Sequence, residues 1–459
     1  MITFPGNVAD VVIIGAGVVG TAIARTLASY SLDCVLVDAA SDVGTGTSKA
    51  NTAILHTGFD AKPGSLEARL VARGSPLLRE YAEAAGIPVE RTGALLVAWT
   101  AEQLAALPSI ASNARRNGYM PVQPISVSAL YAREPQLGPG ALGALEIPDE
   151  SIICPWTTPL AFATEAVNAG VRLSLDTRVT GVGPTGSVHE LTTSRGIVAS
   201  RWVVNAAGLG SDLVDGMFGG DGFAIRPRRG ELIVFDKLAR PLLGSIILPV
   251  PTARTKGVLV APTVYGNVLL GPTASDLADR GDVSTTADGL RSLLTAGHRI
   301  LPGLAQEEIT ATYAGLRAAT EHTDYQIQVD AKQRYACVAG IRSTGLSASL
   351  GIAEYVVSEL ASAGLALNPR PGGPVPVPVM PYIGEAGVRP YQVAEAPQYG
   401  EIVCHCERVT RGEILNAMTS VVPPADLGGL RRRTRVLNGR CQGFYCAWAV
   451  SRLFDQGRP

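Results

Sequence analysis

The first clear pattern in the chain is apolar residues in unbroken runs rather than in alternation. Val11-Val-Ile-Ile14 is continuously apolar, as a parallel strand buried on both faces requires. Gly15-Ala-Gly17-Val-Val-Gly20 follows at once. The spacing from Thr21 to Tyr30 predicts a helix, and Cys34-Val-Leu-Val37 predicts a second strand ending at Asp38. Val203-Val-Asn-Ala-Ala-Gly208 and Tyr335-Ala-Cys-Val338 are further apolar runs leading into glycines, each suited to the same sheet. Gly345 then opens a predicted helix from about Leu346 to Ala363. Between these runs the pattern changes to strand-like alternation with turn signals, as in Arg91–Trp99 and Arg229–Phe235. Gly257–Val264 and Asn267–Leu270 predict a hairpin around Tyr265-Gly266. Leu367–Val379 is dense in proline and glycine and reads as an extended strap, after which a cysteine-bearing module begins near Glu401.

Composition narrows the class. The 459 residues are 46% hydrophobic and 17% charged, which fits a compact globular enzyme with more than one core. The formal net charge of −1 gives no global field for nucleic acid or an anionic membrane. The uncharged stretch Val11–Ala24 is too short to span a bilayer, and Asp10 precedes it where a secretory signal carries basic residues. The expectation is a cytoplasmic protein, with peripheral docking at the inner face of the cell membrane left open.

Two motifs carry chemistry. Gly15, Gly17 and Gly20 sit between a predicted strand and helix, the context a dinucleotide-binding fingerprint needs. Gly15 permits the tight turn, Gly17 lets backbone approach a pyrophosphate, and Gly20 allows close helix–sheet packing. Asp38 stands where it can accept hydrogen bonds from a ribose diol. At the other end lie Cys404-His405-Cys406 and Cys441-Gln-Gly-Phe-Tyr-Cys446. Such a four-sulfur site holds zinc or an iron–sulfur cluster. The gaps of one and four residues depart from the two-to-four spacing usual for structural zinc, and so favour a [2Fe-2S] cluster. His405 is expected to donate to the site rather than ligate it. Cys34, Cys154 and Cys337 lie in apolar surroundings and read as inert core residues. Arg431, Arg432, Arg433, Arg435 and Arg440 crowd the segment before Cys441, where they can raise a cluster's potential, dock an acidic partner or form a solvated face. No aromatic platform accompanies them, which argues against nucleic acid.

Val12–Gly20, Gly46-Thr-Ser-Lys-Ala-Asn51, Ile54-Leu-His56-Thr-Gly58-Phe-Asp60 and the Gly345 segment resemble the FAD-dependent glycerol-3-phosphate dehydrogenase and D-amino-acid-oxidase-like superfamily. Pro227–Glu231, Pro262–Asn267, Leu270–Ala274 and Ala314–Arg317 look most like its anaerobic glycerol-3-phosphate dehydrogenase catalytic subunits. Glu401–Glu407 and Gly439–Cys446 are similar to the bacterioferritin-associated-ferredoxin-like [2Fe-2S] domain. The resemblance implies an α/β fold: a Rossmann-like FAD-binding domain (residues 1–90, 150–215 and 325–366), an inserted mixed-sheet substrate domain (91–149 and 216–324), a linker (367–399) and a small helical [2Fe-2S] domain (400–459). It implies FAD held by Gly15, Gly17, Gly20, Asp38, Ser48, Lys49, Asn51, Ala53, Val179, Ala207, Gly208, Gly345, Leu346 and Ser347. It places His56 beside the flavin as general base, makes Arg317 and then Arg342 the anchors of an anionic substrate, and assigns Cys404, Cys406, Cys441 and Cys446 to the cluster. Arg229 and Glu231 are expected in the same cleft, and Tyr265 in packing. Ala318-Ala319 follow Arg317 where the glycerol-phosphate enzymes carry another basic residue or proline.

The implied reaction is oxidation of a small 2-hydroxy acid or polyol phosphate by hydride transfer to FAD. Electrons then leave through the cluster to an acceptor subunit, in a hetero-oligomer that can sit at a membrane. An amine or opine-type or L-2-hydroxyglutarate-type enzyme, and a non-catalytic electron-transfer subunit, are the alternative readings.

Overall fold

The computed structural model describes residues 8–183, 187–251, 257–381, 394 and 396–457. The N-terminal sheet runs in the order Val179–Val182, His189–Thr193, Gly196–Asn205, Ala9–Ile14, Cys34–Val37, Arg172–Ser174. Tyr335–Ala339 lies parallel to Gly196–Asn205 and carries Gln326–Asp330 on its other side. Val12 is flanked by Val203 and Val35 in parallel register, so the apolar run predicted from sequence is the middle of the sheet. Helix Val18–Leu27 packs on helices Thr157–Asn168 and Gly345–Ser362, and the latter packs on Leu66–Ala85.

The first helix starts at Val18 rather than Thr21, because Gly17 in extended conformation already caps it. It ends before Tyr30 because that residue bridges to Pro369. The proline-rich strap is pinned to the body over its described residues. Ser31 N–H donates to Asn368 O (2.8 Å), Arg370 N–H to Ser29 O (3.0 Å) and Met380 N–H to Ala85 O (2.8 Å). The remainder of the predicted linker, residues 382–393 and 395, lies outside the described residues.

A second, larger sheet follows the order Ser275–Asp276, Arg226–Phe235, Val268–Gly271, Leu259–Pro262, Ile246–Pro249, Ala94–Ala98, Gly143–Ile147, Gln123–Ile125. Ile309–Ala319 pairs antiparallel along the whole of Arg226–Phe235. The predicted hairpin around Tyr265-Gly266 is present, with Pro262 opposite Val268. A small third sheet pairs Ile54–Leu55 and Val89–Glu90 with Ser151–Ile153.

The C-terminal module has a short hairpin, Ile402–Cys404 with Val409–Thr410, and helices Arg411–Met418, Leu427–Thr434 and Ala447–Gln456. Ile414, Leu430, Val436, Val450 and Phe454 form its own core. Thr410 and Glu413 form a reciprocal capping box at its first helix.

The arginines before Cys441 do not form an open face. Arg433 reaches both oxygens of the fully buried Asp42 (2.7 and 2.8 Å), and Arg432 adds a third bond at 2.6 Å. Burial alone pushes the Asp42 carboxyl up, but the hydrogen bonds and charge of Arg433, then Arg432, outweigh it and hold it below its ordinary value. Arg435 and Lys237 both donate to Glu407, and Arg440 pairs with Glu308 and Asp236. These contacts bolt the module to both larger sheets.

Candidate active site and cluster site

A cavity of about 770 Å³ opens between the two large sheets, a size typical of a ligand pocket. One end is made by the turn after Ile14. Gly15 has φ +108°, and a Cβ there would meet Ala206 O at 2.4 Å. A Cβ on Gly20 would meet Gly15 O at 1.8 Å, so Gly20 is a packing residue behind the wall. Gly17 is different: a Cβ there meets nothing closer than Ser48 Oγ at 3.4 Å, so its backbone faces open space. Ser48 Oγ accepts the Val18 N–H (3.0 Å), which fixes the first turn of the helix. Asp38 accepts from Ala16 N–H (2.6 Å) and Ala40 N–H (2.8 Å). Burial raises its pKa against the effect of these bonds. Gly15, Gly17, Asp38, Ser48, Asn51, Ala207, Gly208, Gly345 and Leu346 all line the cavity.

Lys49, Ala53, Val179 and Ser347 stand off that wall. Asn51 explains Ala53: its Oδ1 accepts the Ala53 N–H and its Nδ2 donates to Ser48 O, holding the loop with Ala53 at φ +57°. Val179 belongs to the apolar core beneath the sheet. The Lys49 side chain sits toward the C-terminal module, its pKa lowered by burial and then by Arg432. Ser347 Oγ accepts the His56 N–H (2.8 Å) and so ties the second glycine-led helix to the His56 strand.

His56 lines the cavity, and the third sheet supplies a partner that sequence reasoning missed. Leu55 is in register with Ser151, so the residues just beyond, His56 and Glu150, face each other. Glu150 is fully buried. Its Oε1 accepts from Thr57 N–H (2.7 Å) and Thr57 Oγ (2.9 Å), while its Oε2 meets His56 Nδ1 at 2.9 Å. A carboxylate on Nδ1 selects the tautomer with the lone pair on Nε2.

Arg317 and Arg342 also line the cavity. Arg342 is engaged by Thr323 O and by Glu67 at 3.9 Å. Arg317 pairs with no carboxylate among the described residues; it donates to Thr273 O at 3.4 Å. Burial, then the charge of Arg228, lowers its pKa to about 10. At neutral pH it stays cationic. Arg228 sits directly opposite it across the antiparallel pair and lines the same cavity. A second cation thus stands beside Arg317 on the neighbouring strand. Arg229 and Glu231, expected in the cleft, are turned away from it. Arg229 pairs with Asp282 (3.0 Å), and the buried Glu231 accepts from Thr286 and Thr273. Tyr265 is a packing residue, as expected, in contact with Cys154, Trp156 and Arg435.

The four C-terminal cysteines come together in two sulfur–sulfur contacts, Cys404 with Cys446 and Cys406 with Cys441. Among the described residues no three His, Cys, Asp or Glu side chains close around a single metal ion. The backbone N–H groups of Tyr445 and Gly443 lie close to the Cys441 sulfur and that of Leu437 close to the Cys446 sulfur, while Phe444 N–H donates to Cys441 O (3.0 Å). Four sulfurs in two pairs with amides directed at them fit the thiolate ligands of a [2Fe-2S] cluster. Cys34, Cys154 and Cys337 are buried and stand apart from this site.

The family model described as FAD dependent oxidoreductase matches residues 10–359. The chain belongs to the FAD-dependent oxidoreductase family. A second family model, the BFD-like [2Fe-2S] binding domain, matches residues 402–456. This FAD-dependent oxidoreductase is 34% identical over 442 residues to a glycerol 3-phosphate dehydrogenase of Caloramator mitchellensis, covering 95% of this chain and 92% of the relative. Its fold matches FAD-bound L-alpha-glycerophosphate oxidase from Mycoplasma pneumoniae with TM-score 0.77 and 26% identity, over 82% of this chain and all of that one. Glycine oxidase from Geobacillus kaustophilus matches at TM-score 0.70 and 24% identity, over 82% and 99%, a likeness of fold. The oxidoreductase takes FAD and a [2Fe-2S] cluster as cofactors. Among its described residues no helix is long and apolar enough to cross a membrane.

Proposed function

We propose that this oxidoreductase oxidises the secondary hydroxyl of glycerol 3-phosphate and passes the electrons through its cluster to a partner protein. The paired cations carry this reading. Like charges directly opposite on neighbouring strands repel, and Arg228 with Arg317 is such a pair. Arg228 is balanced by Asp276 at 2.6 Å, whereas Arg317 has no such carboxylate among the described residues. A phosphate dianion between the two guanidinium forks relieves the repulsion and satisfies both. A monocarboxylate needs only one. The relatives named glycerol 3-phosphate dehydrogenase and oxidase support the same choice.

In this reading Gly17, Ser48 and Asp38 hold the pyrophosphate and ribose of FAD, and the helix starting at Gly345 presents its N-terminus toward the isoalloxazine. Bound FAD supplies the two-electron acceptor for the substrate's C–H hydride. His56 takes the hydroxyl proton at Nε2, and Glu150 favours the imidazolium that results. Phe444, Tyr445 and Trp448 are 81%, 79% and 72% exposed beside Cys441 and Cys446, a contact surface suited to an electron-accepting protein.

Anaerobic mixing of the FAD-loaded protein with glycerol 3-phosphate, L-2-hydroxyglutarate, lactate, glycine and proline tests the substrate. Fast bleaching of the flavin band by glycerol 3-phosphate alone is expected. Faster bleaching by a hydroxy acid or an amino acid refutes the phosphate reading.

A further inference from the structure

The cavity and the cysteine site are joined by an unbroken line of packed groups that belongs to neither motif. The 3₁₀ turn Thr47–Lys49 forms part of the cavity edge, with Ser48 and Ala50 on its wall. Trp156 Nε1 donates to Lys49 O at 3.0 Å. The Trp156 ring stacks on Tyr265, centroids 5.7 Å apart and planes 20° apart. The Arg435 guanidinium lies over the Tyr265 ring, 3.9 Å from its centroid. Arg435 Nε then donates to Glu407 at 2.7 Å, and Glu407 is bonded to Cys406. Tyr265 is only 8% exposed and its hydroxyl meets Cys154 Sγ at 2.5 Å, so the stack is held from behind.

We infer that the Trp156–Tyr265 stack, continued by Arg435, is the path along which electrons pass from the flavin cavity to the cysteine site. This rests on the reading that electrons leave through the cluster. Electrons tunnel more readily through bonded and contacting atoms than across gaps, and two stacked π systems shorten the gaps. In each step reduced FAD loses one electron and the oxidised cluster gains one. The electron-accepting partner protein takes the first electron from the cluster before the second arrives, so two steps restore oxidised FAD, with the reduced flavin's proton released to water. Trp156 and Tyr265 serve as medium and are not themselves oxidised. Arg435 keeps positive charge at the cluster end, where it favours arrival of the electron.

The holoprotein is prepared as wild type, Trp156→Leu, Tyr265→Leu, Trp156→Phe and Tyr265→Phe. Flavin is reduced by substrate in one series and by light with a sacrificial donor, without substrate, in the other. Cluster reduction is followed by its electron paramagnetic signal. The leucine variants are expected to slow cluster reduction about tenfold in both series, with flavin bleaching, FAD content and both midpoint potentials unchanged. The phenylalanine variants keep the rings and retain the wild-type rate. Equal rates in wild type and leucine variants overturn the path. Slowing that tracks faster proteolytic release of the C-terminal module also overturns it, because the stack is then a mount. A wild-type cluster that reduced flavin never reaches refutes the underlying electron-exit reading instead.

Discussion

At the scale of single residues, the site divides into groups the sequence announces and partners it conceals. His56 and Arg317 sit in recognisable segments. Glu150 does not, and Arg228, though inside the recognisable Pro227–Glu231, shows nothing of its partner, because each pairing arises only through strand register: Glu150 is 94 positions from His56, and Arg228 meets Arg317 across an antiparallel pair. Local spacing carries no trace of such contacts. His56→Asn is expected to lower kcat by about 10² to 10⁴ with FAD content unchanged, as loss of a general base does. Glu150→Gln keeps the ring in place but removes the charge that favours the imidazolium, so kcat falls by less and KM stays put; steady-state kinetics read both. Arg317→Ala should cost roughly 30-fold in kcat/KM for glycerol 3-phosphate, about 2 kcal/mol. If Arg317→Ala leaves that value intact, the phosphate does not sit on this pair.

At the scale of elements, the strand–turn–helix unit at the N-terminus was readable in its order and glycines, because Gly15 and Gly20 are demanded by backbone clearances, while the helix lies three residues earlier than its spacing predicted at both ends. The same clearances separate two roles for neighbouring glycines. Gly20→Ala puts a Cβ 1.8 Å from a carbonyl oxygen that cannot move without opening the sheet, and should destabilise the fold by more than about 3 kcal/mol. Gly17→Ala meets one serine oxygen at 3.4 Å. It should leave the thermal midpoint near wild type and weaken FAD instead. Melting curves and FAD titrations together distinguish them; equal loss of stability in both variants contradicts the division. The arginine-rich helix was readable as charge but not as a mount, since its buried counter-ion lies 390 and 391 positions earlier.

At the scale of the whole molecule, Asp42 links the module to the loop that begins at Asp38 on the cavity wall. Asp42→Ala leaves Arg433 buried without its carboxylate, a change that typically costs 3 to 5 kcal/mol. The module should then loosen, seen as faster limited proteolysis after Met380, with the thermal unfolding of the larger domains little changed. Acid does the same work. The folded Asp42 carboxyl titrates below its ordinary value of 3.8, so its contribution is complete above that value. It is lost as pH falls through the lower, folded one. Proteolysis across a pH series checks the sign; a module that loosens on raising pH from neutral contradicts it.

The strap has one more effect. It is fastened at Ser29–Ser31 and again at Ala85 before it leaves for the module. If salt or mutation breaks the ionic bolts, the cysteine-bearing module therefore stays leashed to its own body and meets its seat again as an intramolecular event. Any fall in turnover on undocking should then be the same in dilute and concentrated solutions, where a separable subunit would fade on dilution.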